Sequence, residues 1–332
     1  MKRFVSILLT AMLVLCALSG CYAPAAVLED TPAPAPEPEG VKRVFGVDTM
    51  VIGLWGGEGA FMAAAVYQAG LMGLTTTVVA SAEEADSCDA VVIYRPEDKA
   101  KVSVPAIAFT GDESLIPDGG FGIIADDGAA LNAAMDALLS YDSHCTPIRT
   151  VAFVKTDDGP AAQLVEECRA EGKLMMKGVQ AGVDAEAAVE LLNSIPVGLL
   201  DTVFAENEEL ALMAYDALKA NYRNDLVEVI TPALSTGIVK RMMEDRYLMG
   251  AAAGVDEWSA GALAVRMAAV LFAGREVENV TLKPVVVYSK DLYKLEFTDD
   301  LGIEQYISGL AQDVNELYVT VDTAYLMEYY GD

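Results

Sequence analysis

The chain has 332 residues, 53% of them hydrophobic, and a formal net charge of −28. It is long enough for two ordinary domains and apolar enough for real cores, which excludes disorder for most of it. The charge argues against nucleic acid, since phosphate binding needs clustered Lys and Arg, and it fits a neutral or cationic ligand.

Lys2 and Arg3 precede an apolar run, Phe4–Leu18, that is too short for a comfortable membrane span. The run ends in Leu18-Ser19-Gly20-Cys21, which resembles the lipobox of bacterial lipoproteins. That resemblance implies a signal peptide over residues 1–20, cleavage before Cys21, and Cys21 as the lipidated first residue. Residues 21–43 then form a spacer, because Pro32, Pro34, Pro36 and Pro38 alternate with Ala and Glu and keep the backbone extended. No later segment is long and apolar enough to span a bilayer.

From Met50 onward strands and helices alternate. Met50–Trp55 reads as a strand, followed by a helix whose inner face is Met62, Ala65, Val66 and Ala69. Thr75–Ala80, Ala90–Tyr94, Val104–Thr110 and Gly122–Ala125 read as further strands. Asp127 is the expected cap of a helix that buries Leu131, Met135, Leu138 and Leu139. A linker-like patch, Tyr141–Ile148, separates this run from a second one. There Thr150–Val154 is a strand, and Asp157-Asp158-Gly159-Pro160 starts a helix with Leu164, Val165 and Cys168 inward. Met175–Val179 is a strand and Ala185–Leu192 a helix. The clearest step is Asp201–Ala220: strand Thr202–Ala205, cap Asn207, acids Glu208 and Glu209 in the first turn, then an apolar helix face. Strand Val227–Thr231, helix Gly237–Glu244, strand Leu248–Val255, helix Trp258–Ala273 and a final strand Val280–Tyr288 follow. A helix is expected over Ile303–Leu317 in an acidic, aromatic tail. Two successive α/β runs predict two doubly wound parallel-sheet lobes with a cleft between them.

Most chemical motifs read as structural. Cys88, Cys145 and Cys168 are odd in number and lack metal-ligand spacing, so they read as small core side chains. His144 is the only histidine, which leaves no His-based metal site or Ser/His/Asp triad. Gly56-Gly57-Glu58-Gly59 begins like a dinucleotide fingerprint, but Met62 stands where the third small residue belongs. It reads instead as a turn inside the cleft, with Glu58 placed to accept a ligand hydroxyl or amine. Asp157/Asp158, Glu83/Glu84 and Asp126/Asp127 lie at helix starts, where capping explains them. Trp55, Phe61 and Trp258 suit ligand stacking and core packing equally.

The blocks DTVFAENEELALMAYDALKA, GAAAGVDEWSAGALAVRMAAVLFAG and VTLKPVVVYSKD occur in that order. Together with the lipobox and the two α/β runs, they resemble the type I periplasmic binding proteins, substrate-binding components of sugar-type ABC importers. The resemblance covers residues 50–291 and is strongest over 200–291. It implies three crossings between lobes, near Cys145–Ile148, Val255–Glu257 and Asn279–Lys283, so that helix Trp258–Ala273 joins the first lobe. The implied division is residues 44–147 plus 257–280, residues 148–256 plus 281–291, and a C-terminal extension over 292–332.

The resemblance also implies a site. Its aromatic after the first strand matches Phe61, with Trp55 nearby, and its Asn matches Asn207. Its other groups are replaced. Thr110 stands for an aspartate, with Asp112 two residues on; Val165 stands for an arginine, Ser235 for an aspartate, and Val255 for a glutamine, beside a matching Asp256. With Glu58 and Arg95, the candidate ligand-binding residues are Trp55, Phe61, Thr110, Asp112, Asn207, Ser235 and Asp256. Losing several polar groups predicts a less polar ligand than a free hexose, such as a modified sugar or nucleoside, because buried hydroxyls must be paired. The expectation is a lipid-anchored, extracytoplasmic solute-binding protein that serves a membrane ABC permease, without cofactor or catalysis. A second reading is a surface sensor or structural lipoprotein with a degenerate cleft. A third is a Rossmann-like enzyme, which the missing nucleophiles and incomplete phosphate loop oppose.

Overall fold

The structure, a computed structural model, describes residues 50–140, 148–221, 227–245, 248–272 and 275–311. All fall in one compact unit, Arg43–Tyr330. The signal-like segment, Cys21, the spacer, His144 and Cys145 lie outside the described residues.

The first sheet contains β1 (Val51–Trp55), β2 (Thr75–Val79), β3 (Ala90–Tyr94), β4 (Ala106–Thr110), β5 (Phe121–Ala125) and, from far along the chain, β11 (Val280–Leu282). Its order is β11-β5-β4-β3-β1-β2, with every pairing parallel. The second sheet contains β6 (Arg149–Lys155), β7 (Leu174–Ala181), β8 (Thr202–Ala205), β9 (Glu228–Thr231), β10 (Met249–Gly254) and β12 (Val285–Tyr288). Its order is β12-β10-β9-β8-β6-β7, and only β12 runs antiparallel, against β10. Central strands such as β4 are buried along their whole length, as sheets covered on both faces require. Edge strand β2, with three threonines, is mostly exposed.

The helices in chain order are α1 (Ala60–Leu71), α2 (Ala82–Ala85), α3 (Asp127–Ser140), α4 (Pro160–Ala170), α5 (Ala185–Ser194), α6 (Glu208–Ala220), α7 (Thr236–Glu244), α8 (Glu257–Phe272) and α9 (Asp300–Leu310). Two of them change sheets. Helix α3 follows β5 of the first sheet, yet Leu131, Met135 and Leu138 are buried with Val151, Phe153, Phe204 and Ile230 of the second. Helix α8 follows β10 of the second sheet, yet Leu263, Met267 and Val270 share a core with Ile52, Val92, Ile107 and Phe109 of the first. Its expected place beside the first sheet is therefore observed.

The crossings lie side by side. Chain passes between sheets after Ala125, after Gly254 and between Leu282 and Val285. The first crossing was expected near Cys145–Ile148; it comes earlier because α3 already packs its apolar face on the second sheet. Ala125 is the register partner of Leu282, and Gly254 of Val285. All of these residues stand at the carboxyl ends of parallel strands or at the start of β12 beside one. The carboxyl edges of the two sheets therefore meet at the crossings, which makes a hinge flanked by both strand-end surfaces.

Several local expectations differ from the structure. Val66 is 51% exposed, and α1 turns Phe61, Ala64, Ala65 and Ala69 inward. Close approach of α8 selects this small-residue face: a Cβ on Gly261 would stand 2.0 Å from the Phe61 carbonyl oxygen. Asp127 is the first helical residue of α3, and the cap is Asp126, whose Oδ1 accepts from the Ala129 amide at 2.7 Å. Val280–Tyr288 is two strands in different sheets, because Pro284 has no N–H for a ladder. The tail helix begins earlier than expected, at Asp300. Cys88 and Cys168 are buried and unpaired, as small core residues.

Candidate functional site

The site is built on strand ends. After β1 the chain turns through Gly56 (φ 97°) and Gly57 (φ 49°). A Cβ on Gly56 would lie 2.7 Å from the Tyr94 carbonyl oxygen, and one on Gly57 2.8 Å from the Tyr94 ring. Only glycine lets this loop lie against the end of β3. Trp55, Gly56, Gly57, Tyr94 and Arg95, with residues 96–101, line an open pocket of about 700 Å³. Trp55 and Arg95 are therefore brought together, while Glu58 is exposed on the glycine turn.

Phe61 lies beneath this surface, 1% exposed. Its ring is 5.1 Å from Phe109 and 5.2 Å from Tyr94, and Tyr94 is 5.7 Å from Phe109. These rings form a packed aromatic floor. Trp258 packs at 6.0 Å against Tyr67 of α1. Arg95 lies over the floor, with its guanidinium carbon 5.1 Å from the Phe109 centroid.

Arg95 has φ 40° and is the one non-glycine residue with a left-handed backbone among those described. Such a conformation persists where its surroundings hold it. Here Nη1 is 3.4 Å from Asp127 Oδ2 and Nε is 3.5 Å from Glu257 Oε1. Asp127 opens α3 and Glu257 opens α8, so Arg95 joins the starts of both exchanged helices. Burial works to lower its pKa, but Asp127 and Glu257 outweigh it and hold Arg95 above its ordinary range. The Tyr94 hydroxyl donates to Glu257 at 3.0 Å to Oε1 and 3.1 Å to Oε2. Burial, then the Glu257 charge, pushes the Tyr94 phenol up to about 12. Glu257 itself is raised by burial, against the opposing pull of Arg95.

At the end of β4, Thr110 is 2% exposed and its Oγ1 accepts from the Asp112 amide at 3.1 Å. Asp112 is exposed and accepts from the Ser114 amide at 2.8 Å; the Ser114 side chain first, and this amide second, hold its carboxyl below the usual range. Thr110 thus turns the loop that presents Asp112.

The second sheet presents a more self-contained edge. Glu206 accepts from the Thr156 amide and from its hydroxyl, the latter at 2.6 Å. Asn207 caps α6 through the Leu210 amide at 3.0 Å. Ser235 caps α7 through the Ile238 amide at 3.2 Å and donates to Glu208 at 2.5 Å. Lys155 pairs with Asp158. Asn207 and Ser235 are therefore neighbours through Glu208, at two adjacent helix starts. Val165 is buried in the core against α3, and Val255 is buried at the second crossing.

Asp256 is 3% exposed and lies inside the hinge. It caps α8 through the Ser259 amide at 3.1 Å and accepts from Ser308 at 3.0 Å. Burial raises its pKa despite these bonds. Tyr94, Asp127 and Glu257 escaped the sequence reading. Each had a local role, as strand end or helix start, that hid its long-range partner. Among the described residues no cluster of His, Cys, Asp and Glu is arranged to hold a metal, and no helix is long and apolar enough to cross a membrane.

No protein-family model matches the chain, and no curated protein matches it. Solved structures do. A sugar ABC transporter protein from Yersinia enterocolitica is 16% identical with a TM-score of 0.63, over 83% of this chain and 95% of that one. The 5-methylthioribose transporter solute-binding protein from Thermotoga lettingae, in complex with 5-methylthioribose, is 16% identical with a TM-score of 0.60, over 84% and 98%. A carbohydrate transporter solute-binding protein from Agrobacterium radiobacter, in complex with D-arabinose, is 14% identical with a TM-score of 0.57, over 79% and 98%. At these identities the likeness is one of fold: the chain has the type I periplasmic binding protein fold.

Proposed function

We propose that this chain is an extracytoplasmic solute-binding protein that captures a small, sugar-like or nucleoside-like ligand between two lobes for an ABC importer. One observation carries the reading. All three crossings lie at abutting carboxyl edges, with Arg95 joining the starts of the two exchanged helices. Such an arrangement supports lobe rotation about a narrow hinge beside the strand-end surfaces where open α/β sheets take ligands. Solved proteins of this fold carry 5-methylthioribose and D-arabinose. The chain is not read as an enzyme.

The ligand is expected to be partly apolar. Trp55 offers an aromatic face, and Arg95, Asp112 and Asn207 offer polar contacts. Val165 and Val255 supply none. A lipid at Cys21 and the spacer over 21–43 would hold the body at the outer face of a membrane. The lobes in this reading divide at the three crossings, and residues 292–332 form an addition to them.

A second reading has its own support. At the edge of the second sheet Glu206, Glu208, Ser235 and Asp158 are already engaged with neighbours, and Asp256 is taken by Ser259 and Ser308. A sensor or structural lipoprotein with a degenerate cleft fits that closure.

A thermal-shift screen of the mature chain against pentoses, 5-modified ribosides, nucleosides and small amines separates the two, with calorimetry on each hit. Micromolar binding accompanied by compaction in small-angle scattering is the expected outcome. No binding from any class would overturn the transport reading in favour of the second.

A further inference from the structure

Helix α9 packs with the second lobe on one side and reaches the first on the other. Ile303 and Ile307 are buried with Met242, Val285, Val287 and Leu292. Asp300 pairs with Lys240 of α7 at 2.6 Å, and Tyr306 packs on Phe297 with ring centroids 5.6 Å apart. From the same helix, Ser308 Oγ lies 2.6 Å from Ser259 Oγ and donates to Asp256 Oδ2 at 3.0 Å. Asp256 stands in the second crossing, and Ser259 belongs to α8, which packs on the first sheet. All three side chains are buried. A small, buried polar cluster therefore ties a helix of the second lobe to the first, directly over the crossing.

Glu304 lies one turn before Ser308 and is 8% exposed. Asp256 in the crossing, Glu257 of α8 and Asp300 of its own helix all repel its charged form. Lys240 pairs with Asp300, and Arg95 with Asp127 and Glu257. Glu304 itself has no hydrogen bond or ion pair among the described residues.

We propose that α9 is a strap across the second crossing, which holds the two lobes in the setting of this structure and whose grip depends on a proton held by Glu304. With the proton in place, a neutral carboxyl sits beside Asp256 and Glu257. Without it, acidic groups crowd together away from water, and lifting α9 relieves them. Rotation about Val255–Asp256 by a few tens of degrees moves Ser259, about 4.5 Å along the helix, by on the order of 2 Å. That displacement breaks the Ser259–Ser308 contact. Rotation and undocking are therefore one event.

The sign follows from linkage. Burial, then Asp256, Glu257 and Asp300, push the docked Glu304 carboxyl up to about 7, whereas the undocked one titrates in the ordinary range. The docked state holds the proton between those values, so docking is strongest in acid and weakens as pH rises to about 7. Above that it levels off. The proposal does not depend on which ligand the cleft takes.

The test is hydrogen exchange of the full mature chain across pH 5–8, corrected for intrinsic rates, with small-angle scattering in parallel. The opening equilibrium of α9 amides should rise roughly tenfold per pH unit up to about pH 7, together with a change in the scattering profile. Glu304→Gln should remove that slope and keep α9 protected throughout. Ser308→Ala should raise opening at every pH and preserve the slope. A slope that survives Glu304→Gln overturns the proton dependence. Scattering that stays constant through both the pH series and Ser308→Ala overturns the strap. The wild-type series needs no variant, so the strap remains falsifiable if one fails to fold.

Discussion

Nε of Arg95 lies 3.5 Å from Oε1 of Glu257, which links the end of a first-sheet strand to the first residue of the helix that returns from the second. The same carboxylate receives the Tyr94 hydroxyl at 3.0 Å. Glu257 thus serves two neighbouring side chains of β3 and its following loop at once, and it pins α8 where the chain changes lobes.

The first prediction uses that shared carboxylate. The Tyr94 phenol stands at about 12, with burial the larger cause and the Glu257 charge the next. Glu257→Gln should bring its titration part of the way back and leave the burial component. Spectroscopic pH titration, with Tyr94→Phe subtracted to isolate this phenol, gives the shift. A midpoint that stays fixed or rises would show that Glu257 does not act on Tyr94 through charge.

A second prediction concerns how α8 seats on the first lobe. Gly261 meets the Phe61 carbonyl oxygen at 2.0 Å from where a Cβ would stand, and backbone cannot yield as a side chain can. Gly261→Ala should part α1 from α8 and cost about 1–3 kcal/mol or more in urea unfolding. Gly70, in the last turn of α1, has open space around its Cβ position. Gly70→Ala should be neutral or stabilising by about 0.5 kcal/mol. Equal effects from the two substitutions would refute the close approach.

Much of the fold was legible because parallel strands are short apolar runs between punctuating turns. Ala90–Tyr94 and Thr202–Ala205 have the boundaries read from sequence. Asn207 was read as a cap and acts as one. The division of Val280–Tyr288 was also legible in principle, since Pro284 stands inside the run; its β-branched neighbours masked it. Val66 was misplaced because hydrophobicity does not report that α8 approaches closely enough to want alanine. The site was less legible. Arg95, Asp127 and Glu257 come from three separate elements, and no spacing rule joins them. The left-handed backbone of Arg95 leaves no mark in composition. Asp256 matched an expected ligand contact, but the structure gives its carboxylate to Ser259 and to Ser308 of a tail helix that periodicity could not place.

The anchor gives a third prediction. Cys21 lies outside the described residues, and the lipobox-like Leu18–Cys21 alone motivates it. The mature protein should partition into detergent, and Cys21→Ala should leave an uncleaved, unlipidated precursor. Mass spectrometry of the N-terminus reads both. A wild-type product that is fully soluble and unmodified would sink the lipoprotein reading, and with it the spacer's role.

The last prediction separates the two roles open to Asn207. Its Oδ1 accepts from the Leu210 amide at 3.0 Å, so Asn207→Ala should cost about 1 kcal/mol of stability through the lost cap. Asn207→Ser retains a capping oxygen and should recover most of that. Ligand affinity behaves differently if the side-chain amide also orients a ligand. Its NH₂ group is free of the capping bond and, at a half-buried strand end, can donate into the cleft. Removing one such hydrogen bond costs about 1–3 kcal/mol, so both substitutions should weaken binding roughly tenfold or more. Serine is the informative variant, because it uncouples the measurements. Stability near wild type with tenfold weaker binding assigns the amide to the ligand. Wild-type affinity in Asn207→Ser would confine Asn207 to its cap and move ligand orientation to Arg95 and Asp112.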